Sequence, residues 1–308
     1  MLAGNAVALQ PLALDWLAAA GVEVAVLRLD QLDPELSGNK WFKLDGFLQE
    51  AAARRAPGLI GLGGAHSNHL HALAAAGRRA GLRTVGLLRG EPCATPTVDD
   101  LAGLGMQLHW LGFGGYRARH RPDFWAPWQA RYPGFVCIPE GGGGYTGARG
   151  CASLVGWVEA RLGELGWDDF DGWWLAAGTG TTLAGLVLGE CGRRIVHGAL
   201  AVKPPHGVEV NLAAIFEAAG RPDRGYRLLD ACRGGFARLD APLARFLRDT
   251  ESASGLPLEP VYTAKALMAL QAACARGEVT RGSRLVFVHT GGLQGRRAAE
   301  PALQALLG

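Results

Sequence analysis

The sequence predicts a two-lobed α/β protein, with parallel sheets covered by helices in three α/β/α layers, and three observations predict it. The chain has 308 residues, enough for two lobes rather than one. Short apolar, β-branched runs alternate with segments of helical spacing, the β-α-β rhythm of a parallel sheet. Its 46 glycines imply many turns at which backbones come close together.

Taken in order, Val22 to Leu29 is apolar and β-branched, hence a strand, and Leu32 to Asn39 carries turn chemistry. Trp41 to Arg55 has helical spacing through Phe42, Leu44, Phe47 and Leu48. Strands are expected at Leu59 to Leu62, Thr84 to Leu88, Met106 to Leu111 and Phe135 to Ile138, with helices at Asn68 to Ala80 and Val98 to Leu104 between them. Tyr116 to Tyr132, rich in Arg, Pro and Trp, does not read as one clean helix. Gly141 to Gly144 breaks the chain before a helix at Cys151 to Leu162. The second alternation has strands at Trp173 to Ala177, Ile195 to Val202 and Leu285 to His289. Its helices are expected at Thr182 to Glu190, Glu209 to Ala219, Leu243 to Ser252 and Thr263 to Arg276. Ligands of such proteins sit at the C-terminal ends of strands, between the lobes.

Composition narrows the function. A net charge of +3, with no basic run interleaved with aromatics, argues against nucleic acid. The six cysteines are scattered without a C-x-x-C pair, which fits reduced thiols in a cytoplasm. No secretory leader and no apolar run of membrane-spanning length is apparent, so no membrane partner is expected.

Four stretches carry candidate chemistry. Leu36 to Leu44 places Lys40 after a Ser-Gly-Asn turn at the start of an apolar helix-like run, either as a surface cation or as an amine at the mouth of a cleft. Gly178-Thr179-Gly180-Thr181-Thr182 follows a strand and opens a helix, where converging N–H groups, the helix dipole and the threonine hydroxyls can hold an anion. It is neither a Walker loop nor a dinucleotide fingerprint, and tight packing explains it equally well. In Gly63 to His69, Ser67 or Asn68 suits a helix N-cap, or both help to cradle a carboxylate. His66, His69 and His71 lack zinc spacing and an acidic partner, so no metal is expected; Ser67 is not in a G-x-S-x-G elbow. Glu259 to Lys265 is a turn entering a helix, with Tyr262 as core and Thr263 as cap in the plainest view. Val286 to Gly292 is a strand ending at His289, Thr290 and two glycines, where a structural, satisfied histidine is the first expectation.

In this order the motifs resemble the 1-aminocyclopropane-1-carboxylate deaminase and D-cysteine desulfhydrase family, from about Val24 to Gly292. The resemblance rests on Gly38-Asn39-Lys40, Ser67-Asn68, Pro139 with Gly141, Gly142, Gly147 and Gly150, Gly178 to Thr182, Tyr262-Thr263, and His289 to Gly292. It implies a fold-type II, tryptophan synthase β-like enzyme using pyridoxal 5'-phosphate, acting on a small amino acid as a homodimer. It also implies a larger cofactor-binding domain from residues 1–44 and 156–308, and a smaller substrate-side domain from 45–155. Lys40 is then the Schiff-base lysine, and Ser67 and Tyr262 act in catalysis. Ser67, Asn68 and His69 hold the substrate carboxylate. Asn68 also faces the phenolic oxygen of the cofactor, and Gly178, Thr179, Gly180, Thr181 and Thr182 form its phosphate cup. Tyr262 and Thr290 complete the cofactor contacts.

Specificity falls to Phe236, Thr263 and Thr290. In this family the cyclopropane deaminases carry Glu and Leu where this chain has Thr263 and Thr290, and the desulfhydrases carry hydroxyls. A hydroxyl at the ring nitrogen suffices for α-proton loss followed by departure of a good β leaving group. The expectation is therefore α,β-elimination from a small D-amino acid such as D-cysteine, giving pyruvate, ammonia and sulfide. Cyclopropane opening, racemisation or dehydration, and a non-catalytic cofactor-binding relative are the alternatives. The chain departs from the family pattern twice, with Phe42 in place of an Arg and Gly235-Phe236 in place of a Gly-Tyr, and Phe236 is the observation that supports the last alternative.

Overall fold

In a computed structural model the chain folds around two sheets; the structure describes residues 7–36, 38–203 and 207–308. Ser37 of the expected turn lies outside the described residues. The strands and helices run β1 (Leu9–Pro11), α1 (Asp15–Ala20), β2 (Glu23–Arg28), α2 (Asn39–Ala53), β3 (Gly58–Gly63), α3 (Asn68–Ala80), β4 (Arg83–Leu88), α4 (Pro96–Gly103) and β5 (Gln107–Trp110). There follow α5 (Gly112–Arg117), α6 (Ala126–Arg131), β6 (Val136–Ile138), α7 (Gly144–Ala152), α8 (Leu154–Glu159), β7 (Gly172–Ala177), α9 (Thr181–Glu190), β8 (Ile195–Leu200), α10 (Val208–Ala218) and β9 (Tyr226–Asp230). The chain ends with α11 (Ala241–Ser254), α12 (Thr263–Ala275), β10 (Arg284–His289) and α13 (Leu293–Leu307).

The larger sheet has the order β1-β2-β10-β7-β8-β9 and the smaller β5-β4-β3-β6. All pairings are parallel except β1 against β2, so the expected parallel sheet carries one antiparallel edge strand. Strand alternation builds the three layers. Ala25, Leu27, Trp173, Leu175, Val286 and Val288 enter the core shared with α2, α7 and α9, while Val24, Val26, Trp174 and Phe287 face α11 and α12. On the smaller sheet Leu59 joins the first of these cores, and Ile60, Leu62, Val85 and Leu87 form a third beneath Tyr116, Phe124 and Phe135.

The two sheets meet through α2, α7 and α9, whose backbones touch. A Cβ on Gly150 of α7 would lie 1.9 Å from the carbonyl oxygen of Phe42 in α2, so only glycine fits there. Several expectations shift by a turn. The helix expected from Cys151 is two helices, α7 and α8, and α7 starts inside the glycine cluster, at Gly144. Helix α2 starts at Asn39 rather than Trp41, which puts Lys40 in its first turn. No described helix is long and apolar enough to cross a membrane.

Candidate active site

Lys40 stands where the exits of β2 and β10 are stitched together. Gly38 N–H donates to Leu29 O at 2.9 Å and Asn39 N–H to Thr290 O at 3.1 Å. Gly38 has φ 75°, and a Cβ there would be 2.1 Å from Thr290 O, so the turn that launches α2 requires glycine. The Asn39 side chain is buried and bridges two elements: its Nδ2 donates to Thr182 Oγ1 and its Oδ1 accepts from Lys40 Nζ, both at 2.8 Å. The amine of Lys40 is thereby tied to the head of α9. Burial holds its pKa well below the usual lysine value, and repulsion from Lys43 lowers it further. Lys43 is itself buried, its Nζ donating to Gly141 O at 3.3 Å. No motif assigns Lys43 a role, yet it is the second buried amine of the site.

The glycine-threonine loop closes this wall. Gly180, in the left-handed region at φ 78°, sets Thr181 and Thr182 at the start of the ten-residue α9, where both are buried. The hydroxyls of Thr179 and Thr181 are 2.9 Å apart. A Cβ on Gly178 would lie 3.1 Å from Tyr262 Cε1, and one on Gly141 would lie 3.1 Å from Thr179 Cγ2. The loop therefore packs directly against Tyr262 and the Gly141 turn. Burial pushes the Tyr262 phenol well above its ordinary value, so it stays protonated.

The opposite wall is the head of α3. Ser67 is its N-cap, with Oγ accepting from Leu70 N–H at 3.2 Å, as the plainer expectation for this residue has it. The N–H groups of Asn68 and His69 head the helix with no acceptor among the described residues. Asn68 Oδ1 accepts from Gln294 Nε2 at 2.9 Å, across the space between the lobes. The His69 ring turns inward between Gly61 and Gly142, buried, with neither nitrogen hydrogen-bonded among the described residues. Burial, then Lys40 and Lys43, push its pKa down to about 3, so it is neutral. His66 is exposed and His71 faces Asp100 at 3.4 Å; among the described residues no group of three metal-binding side chains forms.

Two turns from the larger lobe complete the space. The buried Glu259 carboxylate accepts from Val261 and Tyr262 N–H, each at 2.7 Å, and burial raises its pKa to about 7. Nothing in a Glu-Pro-Val-Tyr turn marks that carboxyl as buried; its neighbours Lys40, Lys265 and Gly292 are remote in sequence or hidden by the helix. The Thr263 hydroxyl accepts from Glu259 N–H at 2.7 Å and donates to Glu259 O at 3.1 Å, so it is committed to the turn. Phe236 lies edge-on to Tyr262, with ring centroids 5.9 Å apart. Its loop is held by the buried Lys265, which donates to Cys232 O and Gly235 O, both at 3.1 Å. His289 sits beneath, its Nε2 donating to Pro257 O at 2.7 Å and its Nδ1 accepting from Gly291 N–H at 3.2 Å. That is a structural histidine.

The residues present fit a planar aldehyde bearing a phosphate. An amine depressed in pKa is hydrogen-bonded to the residue that also touches the anion cradle, Tyr262 borders that cradle, and Asn68 Nδ2 keeps a free donor. Fold and site together define the class of pyridoxal-phosphate enzymes of fold type II. A Thermotoga maritima protein provisionally named 1-aminocyclopropane-1-carboxylate deaminase is 30% identical over 292 residues, 89% of this chain and 90% of its own length. An Arabidopsis thaliana mitochondrial protein, named a bifunctional D-cysteine desulfhydrase/1-aminocyclopropane-1-carboxylate deaminase, is 26% identical over 94% of this chain and 77% of its own. A solved structure described as an ACC deaminase homologue has a TM-score of 0.86 at 25% identity, covering 100% of this chain and 95% of that one. No family model matches the chain. The chain belongs to the 1-aminocyclopropane-1-carboxylate deaminase and D-cysteine desulfhydrase family, whose cofactor is pyridoxal phosphate.

Proposed function

We propose that the chain is a deaminating lyase that carries out α,β-elimination on a small amino acid of D configuration, D-cysteine being the expected case. The products are pyruvate, ammonia and sulfide. The observation that carries this choice is the pair Thr263 and Thr290, hydroxyls at the two positions where the family's cyclopropane deaminases carry Glu and Leu. Pyridoxal phosphate, when bound, supplies the electron sink for charge left at the substrate α-carbon. The protein supplies the rest. Lys40, its pKa lowered by burial and then by Lys43, attaches the cofactor and then takes the α-proton. Thr181, Thr182 and the N–H groups heading α9 hold the phosphate, while Asn39 keeps that anchor in register with Lys40. Ser67 and the free N–H groups of Asn68 and His69 bind the substrate carboxylate. Tyr262, which borders the glycine-threonine loop, would serve as a proton donor, since burial keeps its phenol protonated. Residues 45–155 act as the substrate-side domain and 1–44 with 156–308 as the cofactor domain, a division supported by the two separate sheets.

Opening of the cyclopropane acid is the second reading, favoured by one observation: Glu259 brings a buried carboxyl to the site although position 263 is threonine. Pyruvate and 2-oxobutyrate release decides between them. D-cysteine, L-cysteine, β-chloro-D-alanine and the cyclopropane acid are offered in parallel to the reconstituted enzyme. Pyruvate from the D substrates with little 2-oxobutyrate is expected. The reverse preference sinks the elimination proposal, and retained cofactor with no product from any of them points to a non-catalytic relative.

A further inference from the structure

We infer that Gln294 is a positioning residue that fixes which end of the Asn68 amide faces the cleft. This rests on the proposed role of Asn68 toward the cofactor's phenolic oxygen. An amide is nearly symmetric in shape but not in chemistry: one end only accepts hydrogen bonds and the other only donates them. Asn68 is the first residue of α3, and without a partner either end could turn to the cleft. Gln294, the second residue of α13, engages one end of that amide, its Nε2 donating to Asn68 Oδ1 at 2.9 Å. The oxygen is therefore drawn toward α13, and Nδ2 has no acceptor among the described residues.

The surroundings are shaped for this arrangement. A Cβ on Gly292 would lie 2.6 Å from Asn68 Nδ2 and one on Gly295 would lie 3.0 Å from Oδ1. The amide thus sits against the entry turn of α13 in space that any side chain at those two positions would occupy. Its remaining donor suits an anionic oxygen, which an amide oxygen in the same place would repel. The same bond joins the head of α3 to the end of the β10 turn that carries Thr290. One neutral side chain therefore orients the donor and ties the substrate wall to the cofactor wall.

The test uses the full chain loaded with pyridoxal phosphate, with two readouts besides turnover. One is the cofactor dissociation constant; the other is the pH at which the visible band of the loaded protein titrates, a band that reports the proton shared by the phenolic oxygen and the Lys40 nitrogen. Gln294→Met should weaken cofactor binding by roughly three- to tenfold, as for one misdirected hydrogen bond to a charged group, and move the titration to higher pH. Gln294→Glu, which can only accept, should reverse the amide and weaken binding more than Met does. A packing role would rank the two the other way, since Glu is isosteric with Gln. In an Asn68→Ala background, Gln294→Met should change neither readout. Equal values for Gln294→Met and the native protein, or an unchanged effect in the Asn68→Ala background, overturn the inference. Should Gln294→Met fail to fold, Gln294→Glu with and without Asn68→Ala carries the same comparison. Cofactor still attached covalently to Lys40→Ala would instead overturn the proposed function beneath it.

Discussion

The two walls of the cleft are built differently. On the larger-lobe wall the side chains around Lys40 and Glu259 are already hydrogen-bonded within the protein, and the N–H groups heading α9 and the Tyr262 hydroxyl are the ones without a partner among the described residues. Thr182, Asn39 and Lys40 form one chain, Thr290 O holds Asn39 N–H, and Glu259 holds the start of α12. On the smaller-lobe wall several groups have no partner among the described residues: two N–H groups at the head of α3, the Asn68 Nδ2 donor and both nitrogens of His69. A buried polar group without a partner costs free energy, so its persistence points to a ligand or to chemistry. The difference teaches a division of labour. A pre-bonded wall holds a permanent guest in one orientation, and an under-bonded wall gains its partners only when a substrate arrives.

Lys40→Ala breaks the first wall most severely. Borohydride reduction of the loaded native protein should fix the cofactor to Lys40, detectable by peptide mass, and the variant should retain none. Its turnover should fall by roughly 10³-fold or more, since both attachment and proton transfer go with the amine. Covalent retention at Lys43 in the variant would show that the two buried amines are interchangeable.

Glu259→Gln tests whether the first wall stores strain in a buried carboxyl. Its folded pKa is raised from 4.5 to about 7, so the folded chain holds a proton that the unfolded chain has released between those values. Stability on this account is highest below pH 4.5 and falls as pH rises to about 7, by up to about 3 kcal/mol. Denaturant unfolding at several pH values should show that fall in the native protein and a flatter profile in Glu259→Gln. Parallel profiles would remove Glu259 as the source. Thr182→Val is the next largest. It takes away the acceptor of Asn39 Nδ2 and a phosphate donor together, and should cost about 1–3 kcal/mol of cofactor affinity, roughly ten- to hundredfold in the dissociation constant, with the fold intact.

Legibility in the sequence follows the same divide. The strands of both sheets were readable where they are buried on both faces, as Leu59 to Leu62 and Trp173 to Ala177 are, because continuous apolar runs bounded by glycine leave little choice. Strand β9, an edge strand with exposed Arg227 and Asp230, carries no such run, and β1 is three residues ending in Pro11. Helix α13 holds Pro301 in its interior and mixes charges around its faces, so its period was hidden. Backbone-built features of the site, the Gly38 turn and the Gly178 to Thr182 loop, were visible because only certain residues permit them. Lys43, Glu259 and Gln294 were not, because what makes them functional is burial and partners supplied by remote segments. A glutamate in a turn and a glutamine on a helix look like solvated residues until the other lobe is in place.

Phe236→Tyr sharpens the comparison at its mildest point. Phe236 is 53% exposed, lies edge-on to Tyr262, and occupies the place of a tyrosine in the family pattern. Its loop is rigid by construction: Lys265 fixes two of its carbonyls, Arg233 pairs with Asp240, and Arg233 and Ala237 adopt positive φ of 50° and 55°. The added hydroxyl therefore enters a fixed frame without a cavity to fill or a core to crowd, and stability should move by no more than about 0.5 kcal/mol. Cofactor affinity should not change, because the ring reaches Tyr262 and not the phosphate loop. Any effect belongs to the substrate: one new hydrogen bond to its carboxylate or leaving group, worth about twofold to tenfold in kcat/KM for β-chloro-D-alanine. A change in cofactor affinity of that size, with substrate kinetics unmoved, would assign Phe236 to the pre-bonded wall and redraw the boundary between the two.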